Sequence, residues 1–313
     1  MSQANQILVT GFNGFLGRHL CTSLIKNNIQ VTGIDYNEGC FSHKLFTSIP
    51  LDLTNKQDTL NTIAKIKPDY LIHLASLKNR FSSNSDYFTS YQTNTLASLN
   101  LIEACLNLNN FKRFIFLGSC DEYGDVSLPF NENQQEKPLN SYGLSKLAIT
   151  KLLLSLKKSH DFPVTILRPT VIYGPEQGSE MFVPALIQSL INNKDFSMTQ
   201  GEQLRDFVYI DDVISAIIDS VKASDDINGI IINIGCGVSH RLKDIALTIA
   251  KLINPEALKH LKFGALSYRQ NEVMDYAANI SLAQEKLNWK PEIKLEEGLK
   301  RTIEYYQSQI RKD

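Results

Sequence analysis

The sequence predicts an α/β fold organised around a doubly wound parallel sheet, with a smaller α/β lobe toward its carboxyl end. Three observations carry this. Short runs rich in Val, Ile, Leu and Phe recur without internal polar alternation, as strands covered on both faces require. Longer amphipathic segments separate them, the pattern of helices that cross over such a sheet. The first apolar run also leads straight into a glycine-rich turn that opens the first helix, "VTGFNGFLG".

Taken in order, strands are expected at 6–11 ("QILVTG"), 30–35, 47–53, 70–75, 113–119 and 164–170. Helices are expected at 15–26, 55–66, 86–108 and 142–158. After Thr170 the pattern loosens. "MFVPALIQSLIN" reads as a helix and "GIIINIG" as a strand, with "LKFGAL" and "LNWKP" near the end. No repeat or long linker interrupts the chain. The sheet domain is therefore placed at 1–170 plus 204–234, and the smaller lobe at 171–203 plus 235–313.

The 313 residues carry 32 Lys and Arg against 33 Asp and Glu, a net charge of −1. No basic surface for a nucleic acid is expected, so an anionic ligand must be held by a few placed cations. The five cysteines, Cys21, Cys40, Cys105, Cys120 and Cys236, form no C-x-x-C pair, which argues against a disulfide frame or a zinc site. The histidines are scattered, and no metal is expected. No apolar run reaches membrane-spanning length, and a strand begins too early to leave room for a signal peptide. The expected location is the cytoplasm.

Gly11, Gly14 and Gly17 form G-x-x-G-x-x-G between the first strand and the first helix. Glycines permit a tight turn and bring backbone N–H groups and a helix N-terminus against a pyrophosphate. Asn13, Phe15 and Leu16 belong to the same expected cofactor-binding loop. Asp35 follows about twenty residues on, where a carboxylate accepts bonds from an adenosine ribose. An acid there repels a 2′-phosphate, so NAD is favoured as cofactor in a Rossmann-type domain. Asp52 reads either as a contact to the adenine amino group or as a plain turn acid. Leu53, Leu74 and Ala75, near the ends of the third and fourth strands, complete the expected cofactor contacts.

"NSYGLSK" places Tyr142 and Lys146 on one face of a helix start. A free phenol titrates near 10 and is a poor acid–base group at neutral pH. An ammonium alongside favours the phenolate. With the glycine turn upstream, Tyr142 and Lys146 are read as catalytic.

At these residues the sequence resembles an extended short-chain dehydrogenase/reductase of the NAD-dependent epimerase/dehydratase type, a family acting on nucleotide sugars. The resemblance covers nearly the whole chain. It rests on the glycine triplet, Asp35, "LDL", "IHLASLK", "YQTNTLASLNLIEA", "NSYGLSK", "LRPTVIYGP", "GEQLRDFVYIDD" and "LNWKP". It implies that Ser119, in "LGSCDEYG", completes the catalytic group by bonding the sugar oxygen. The family's 4,6-dehydratases carry an Asp-Glu pair directly after the equivalent threonine. Here Cys120 intervenes, so Asp121 and Glu122 are shifted by one position. Asp121 then reads as a substrate contact or as a loop acid capping a turn, and Cys120 as a packing residue. The resemblance further implies Lys78 and Asn94 as cofactor-side residues, and Arg205 and Arg269 as partners of a substrate diphosphate. As bare residues, Lys78 reads equally as a solvated lysine and each arginine as part of a domain-bridging ion pair. Where the family often has an asparagine after L-R-P, this chain has Val171.

The leading expectation is an NAD-dependent nucleotide-sugar epimerase, at C4 and similar to UDP-glucose 4-epimerase. The runner-up is a 4-ketoreductase of a nucleotide deoxysugar, since the carboxyl-terminal run resembles CDP-abequose synthase. A dehydratase stands third, and a non-catalytic relative that senses NAD or holds a partner fourth. The resemblance also implies a homodimer, with 86–108 and 142–158 packing against their copies in a four-helix bundle.

Overall fold

In the computed structural model, residues 6–39, 41–78, 83–269 and 272–310 are described. β1 (Ile7–Thr10) is buried along its length and runs through the glycine turn into α1 (Phe15–Lys26), which turns Leu16, Leu20 and Leu24 inward. β2 (Val31–Asp35) and β3 (Phe46–Pro50) follow. β3 ends before the expected strand does. Asp52 closes a turn there, its carboxylate accepting the Thr54 N–H at 2.9 Å. α2 (Lys56–Ile66) starts on Asn55, whose side chain accepts the Asp58 N–H. It leads to β4 (Tyr70–His73).

The expected helix at 86–108 is two segments. α3 (Asn84–Ser90) begins on a capping box of Ser83 and Asp86, and α4 (Leu96–Leu106) follows a single π-turn at Tyr91–Thr95. The wider turn buries both Asn94 and Thr95, a device common at functional positions. Next come β5 (Arg113–Leu117), α5 (Ser141–His160), β6 (Val164–Pro169), β7 (Val171–Tyr173), α6 (Phe182–Ile191) and β8 (Phe196–Ser197). The chain continues through β9 (Leu204–Tyr209), α7 (Ile210–Lys222), β10 (Ile230–Ile234), β11 (Ser239–Arg241) and α8 (Leu242–Ile253). It ends with β12 (Leu261–Lys262), α9 (Ser281–Leu287) and α10 (Leu295–Ile310).

The main sheet has seven parallel strands in the order β10-β6-β5-β4-β1-β2-β3. Strand order reverses between β1 and β4, so the ligand crevice of such a sheet opens beyond Thr10 and His73. A three-stranded sheet, β11-β9-β7, and the short pair β12-β8 lie outside it. One apolar core joins α1, α7 and the main sheet to α6, α8 and α10. A second core lies under α2, α4 and α5. A third, of Cys120, Tyr123, Phe130, Tyr276 and Ala278, sits beneath the "LGSCDEYG" stretch.

β10 forms an outer edge, where the Asn233 N–H donates to Glu132 Oε1 at 3.0 Å. Cys21, Cys105, Cys120 and Cys236 are free thiols, and Cys40 lies outside the described residues. No helix among the described residues is long and apolar enough to cross a membrane.

Candidate active site

On the nucleotide side the glycines are required by space. Gly11 has φ +74°, and a Cβ there would stand 2.7 Å from the Ala75 nitrogen. A Cβ on Gly17 would stand 2.1 Å from the Gly11 oxygen. α1 starts on Gly14 with no side-chain cap, so the first-turn N–H groups of Phe15 and Leu16 have no intrahelical partner and suit an anion. Asn13 has a different task. Its N–H donates to Asp35 Oδ2 at 3.0 Å and its side chain to the Asn37 oxygen at 2.9 Å, fixing the tip of β2 beside the turn.

The Tyr36 N–H donates to the other Asp35 oxygen at 2.8 Å. Asp35 therefore stands as a held carboxylate at the crevice. Asp52 is exposed and engaged by the Thr54 N–H and hydroxyl, as the turn-acid reading has it. Leu53 is buried and lends its carbonyl to Asn100 at 2.8 Å. The N–H groups of Leu74 and Ala75 donate to the carbonyl and hydroxyl oxygens of Thr10 at 3.2 and 3.3 Å. A cradle that any side chain would fill, an uncapped helix start and an acid at the next strand end together fit a dinucleotide.

On the chemical side, α5 is capped by Asn140, which accepts the Gly143 N–H at 2.8 Å. Tyr142 lies half-buried in its first turn, and Lys146 is buried one turn on. The Lys146 ammonium donates to the Leu117 carbonyl at 2.8 Å and lies 5.8 Å from the centre of the Tyr142 ring. Burial pulls Lys146 down to about 8, against the Glu122 carboxylate, which pulls it up. Ser119 caps a short 3₁₀ turn, Cys120–Glu122, its hydroxyl accepting the Asp121 N–H at 3.1 Å. That turn packs on the start of α5 so closely that a Cβ on Gly143 would be 2.5 Å from the Asp121 oxygen. The end of β5 and the turn begun by Ser119 thus lie against the start of α5, which carries Tyr142 and Lys146.

The acids after Ser119 separate by direction. Glu122 is wholly buried and accepts the Ser119 N–H at 2.9 Å, the Thr150 hydroxyl at 2.8 Å and two bonds from Arg168 at 2.6 and 3.0 Å. Arg168 also reaches Glu136 at 2.9 Å, which in turn pairs with Lys151 at 2.7 Å. Cys120 faces the core, its thiol 3.2 Å from the Arg168 oxygen and pushed up by burial. Asp121 is half-buried and accepts the Tyr276 hydroxyl at 3.0 Å.

Asn94 clasps Leu77, accepting its N–H at 2.7 Å and donating to its carbonyl at 3.0 Å, and reaches the Ser145 hydroxyl at 3.1 Å. Lys78 lies 3.8 Å from the Met181 sulfur. In the smaller lobe, Arg205 pairs with Glu272, donates to the Leu204 oxygen at 2.7 Å and lies 5.7 Å from the Tyr276 ring centre. Arg269 is exposed, and residues 270 and 271 after it lie outside the described residues. The geometry ties Asp121 to Ser119 through its N–H and toward Arg205 through Tyr276, and sets Lys146 beside the Tyr142 ring; among the described residues it shows no such link for Arg269. Sequence reasoning passed over His73, Ser145, Glu272 and Tyr276. A histidine closing an apolar strand was a signal for the first, and nothing local marked Glu272 or Tyr276.

The profile of the NAD dependent epimerase/dehydratase family matches residues 7–235. The uncharacterized UDP-glucose epimerase YtcB of Bacillus subtilis (strain 168) is 31% identical, with 97% of this chain and 98% of the relative covered. The dTDP-D-glucose 4,6-dehydratase of Dictyostelium discoideum is 28% identical over 97% of this chain and 82% of its own. Among solved structures, the UDP-glucuronic acid 4-epimerase of Bacillus cereus, in complex with UDP-glucuronic acid and NAD, is 29% identical. It superposes with a TM-score of 0.87 over 97% of this chain and 99% of its own. With the glycine cradle and the Tyr142–Lys146 helix in place, the chain belongs to the NAD-dependent epimerase/dehydratase family and is an enzyme whose cofactor is NAD.

Proposed function

We propose that this enzyme is a nucleotide-sugar epimerase acting at C4, with a nucleoside diphosphate hexose as substrate. The observation that carries the reading is the fate of Glu122 and Cys120. A 4,6-dehydratase needs an acid–base pair beside the hydroxyl residue. Here the glutamate is locked to Arg168 and the thiol faces the core. The group left to move one proton is Ser119, Tyr142 and Lys146. Asp35 supports NAD over NADP, which weighs against a net reductase.

In this mechanism Ser119 orients the C4 hydroxyl and Tyr142 takes its proton. Lys146 stabilises, through its charge, the phenolate form of Tyr142 that accepts this proton. NAD, held by the glycine turn and Asp35, would supply a reversible hydride acceptor for C4. Asn13 keeps Asp35 aimed at the ribose, and Phe15 and Leu16 offer their N–H groups to the pyrophosphate. The lobe formed by 171–203 plus 235–313 receives the nucleotide diphosphate, with Arg205 and Arg269 as its cations. Asp121 positions that lobe through Tyr276. The enzyme works as a homodimer. Phe88 (72% exposed), Tyr91 (56% exposed), Leu99 and Leu144 form an apolar surface on α3, the π-turn, α4 and α5 that suits a second copy.

The test is incubation of the purified protein with UDP-glucose, UDP-glucuronic acid and UDP-N-acetylglucosamine. Interconversion of one C4 pair without stoichiometric reductant is expected. Formation of a 4-keto-6-deoxy product, or dependence on consumed NADPH, overturns the reading.

A further inference from the structure

His73 closes β4 in the middle of the main sheet, 1% exposed, where a polar ring needs a partner on each nitrogen. Both partners are hydroxyls. Nδ1 lies 2.7 Å from the Thr10 oxygen and Nε2 lies 2.8 Å from the Ser98 oxygen.

The direction of each bond is forced by what lies beyond. The Ser98 hydroxyl is 2.7 Å from the Asn94 carbonyl, which can only accept, so Ser98 spends its proton there and must accept from Nε2–H. The Thr10 hydroxyl accepts the Ala75 N–H at 3.3 Å and is left with its proton for Nδ1. The chain of donors therefore runs from Ala75 to Thr10, His73, Ser98 and the Asn94 carbonyl. The Asn94 side chain then reaches Ser145 at 3.1 Å, and the Ser145 hydroxyl donates to the Tyr142 carbonyl at 2.8 Å. Every donor has an acceptor, and no second proton fits on the ring. Burial, with the neighbouring Lys146 ammonium, pulls His73 down to about 3, in keeping with that.

One end of this chain is the strand-end lip against which Gly11 packs; the other is the helix turn of Tyr142. We infer that His73 is a positioning residue, a neutral imidazole of fixed tautomer that sets the register between the NAD-binding strand ends and the Tyr142 helix. The inference rests on the role given to Tyr142 under the proposed function.

Two substitutions divide the ring. His73→Asn keeps an acceptor toward Thr10 but no donor toward Ser98. His73→Gln keeps a donor toward Ser98 but no acceptor toward Thr10. Turnover is read on whichever of UDP-glucose, UDP-glucuronic acid and UDP-N-acetylglucosamine the wild type converts, and NAD affinity is read by fluorescence titration of stripped protein. His73→Asn is expected to lower kcat about ten- to a hundredfold while moving the NAD Kd by less than about threefold. His73→Gln is expected to raise the NAD Kd about tenfold with the smaller loss in kcat.

A purely structural histidine predicts that the two quantities fall together in both variants, and that result overturns the inference. If neither variant folds, nitrogen-15 chemical shifts of the wild type decide. Nε2 protonated and Nδ1 bare from about pH 5 to about 8 is expected; the opposite tautomer, or an imidazolium in that range, overturns it. Tyr142→Phe separates the two levels. If it turns over normally, the catalytic reading of α5 falls and takes the purpose of the relay with it. If it is inactive with NAD binding intact, a failed Asn/Gln split counts against His73 alone.

Discussion

The two halves of the site are built differently. The chemical half stands on strand ends and a helix start, and its polar groups are held by buried partners: Glu122 by Arg168, Thr150 and the Ser119 N–H, Lys146 by the Leu117 carbonyl. The half proposed for recognition is carried by β9 and by residues 272–278, and its bonds run mostly among its own members. Arg205 and Glu272 keep 14% and 18% of their side chains exposed, and the Tyr276 bond to Asp121 crosses to the other half. A proton-transfer group must be fixed before substrate arrives. A group that recognises a nucleotide can afford to exchange one partner for another.

The largest expected effect lies in the fixed half. Tyr142→Phe should lower kcat by about 10³- to 10⁴-fold, with NAD affinity nearly unchanged. A smaller loss would mean that proton transfer does not pass through this phenol. Glu122→Ala leaves the buried Arg168 short of its main partner and should cost about 3 to 5 kcal/mol in urea unfolding. A cost no greater than that of Glu272→Ala would erase the contrast between the halves.

The pH profile tests the same half with no substitution. Lys146 loses its proton as pH rises through about 8, so kcat should fall on the alkaline side of that value, where the charge beside Tyr142 disappears. A profile flat well above it would remove the ammonium from the mechanism.

The recognition half should respond in binding. Arg205→Ala is expected to weaken UDP by about tenfold in calorimetry with little change in kcat. Glu272→Gln should act oppositely and least, tightening UDP by about threefold, because the guanidinium no longer leaves an ionic partner to meet the phosphates. Looser binding in Glu272→Gln would show that the pair orients Arg205 instead of competing for it.

What the sequence reveals follows the same division. The glycine turn, Asp35 and the Tyr142–Lys146 pair are legible because each depends on backbone geometry within a few residues, whereas Ser119 is implied only by the family resemblance. Glu122 was not legible. Its partners, Thr150 and Arg168, stand on later elements, and only the fold shows that the acid turns inward. The extent of β3 was overestimated because Leu51 and Leu53 continue the apolar run, while the turn made by Asp52 decides where pairing stops. His73 was visible in "IHLASLK" but carried no meaning until Ser98 and Thr10 were seen on its two nitrogens. Arg205 was found by resemblance, and its pairing with Glu272 became visible only when distant stretches of chain met.

The carboxylate of Glu132 on the rim of β10 has an effect beyond its own neighbourhood. By taking the Asn233 N–H it occupies a site that an incoming strand would need, and places a charge in that strand's path. Copies of this protein should therefore not associate by lengthening the sheet on that side, which guards a long, apolar, parallel sheet against fibrous growth. Neutralising that one acid should be felt first as turbidity on concentration, before any loss of catalysis.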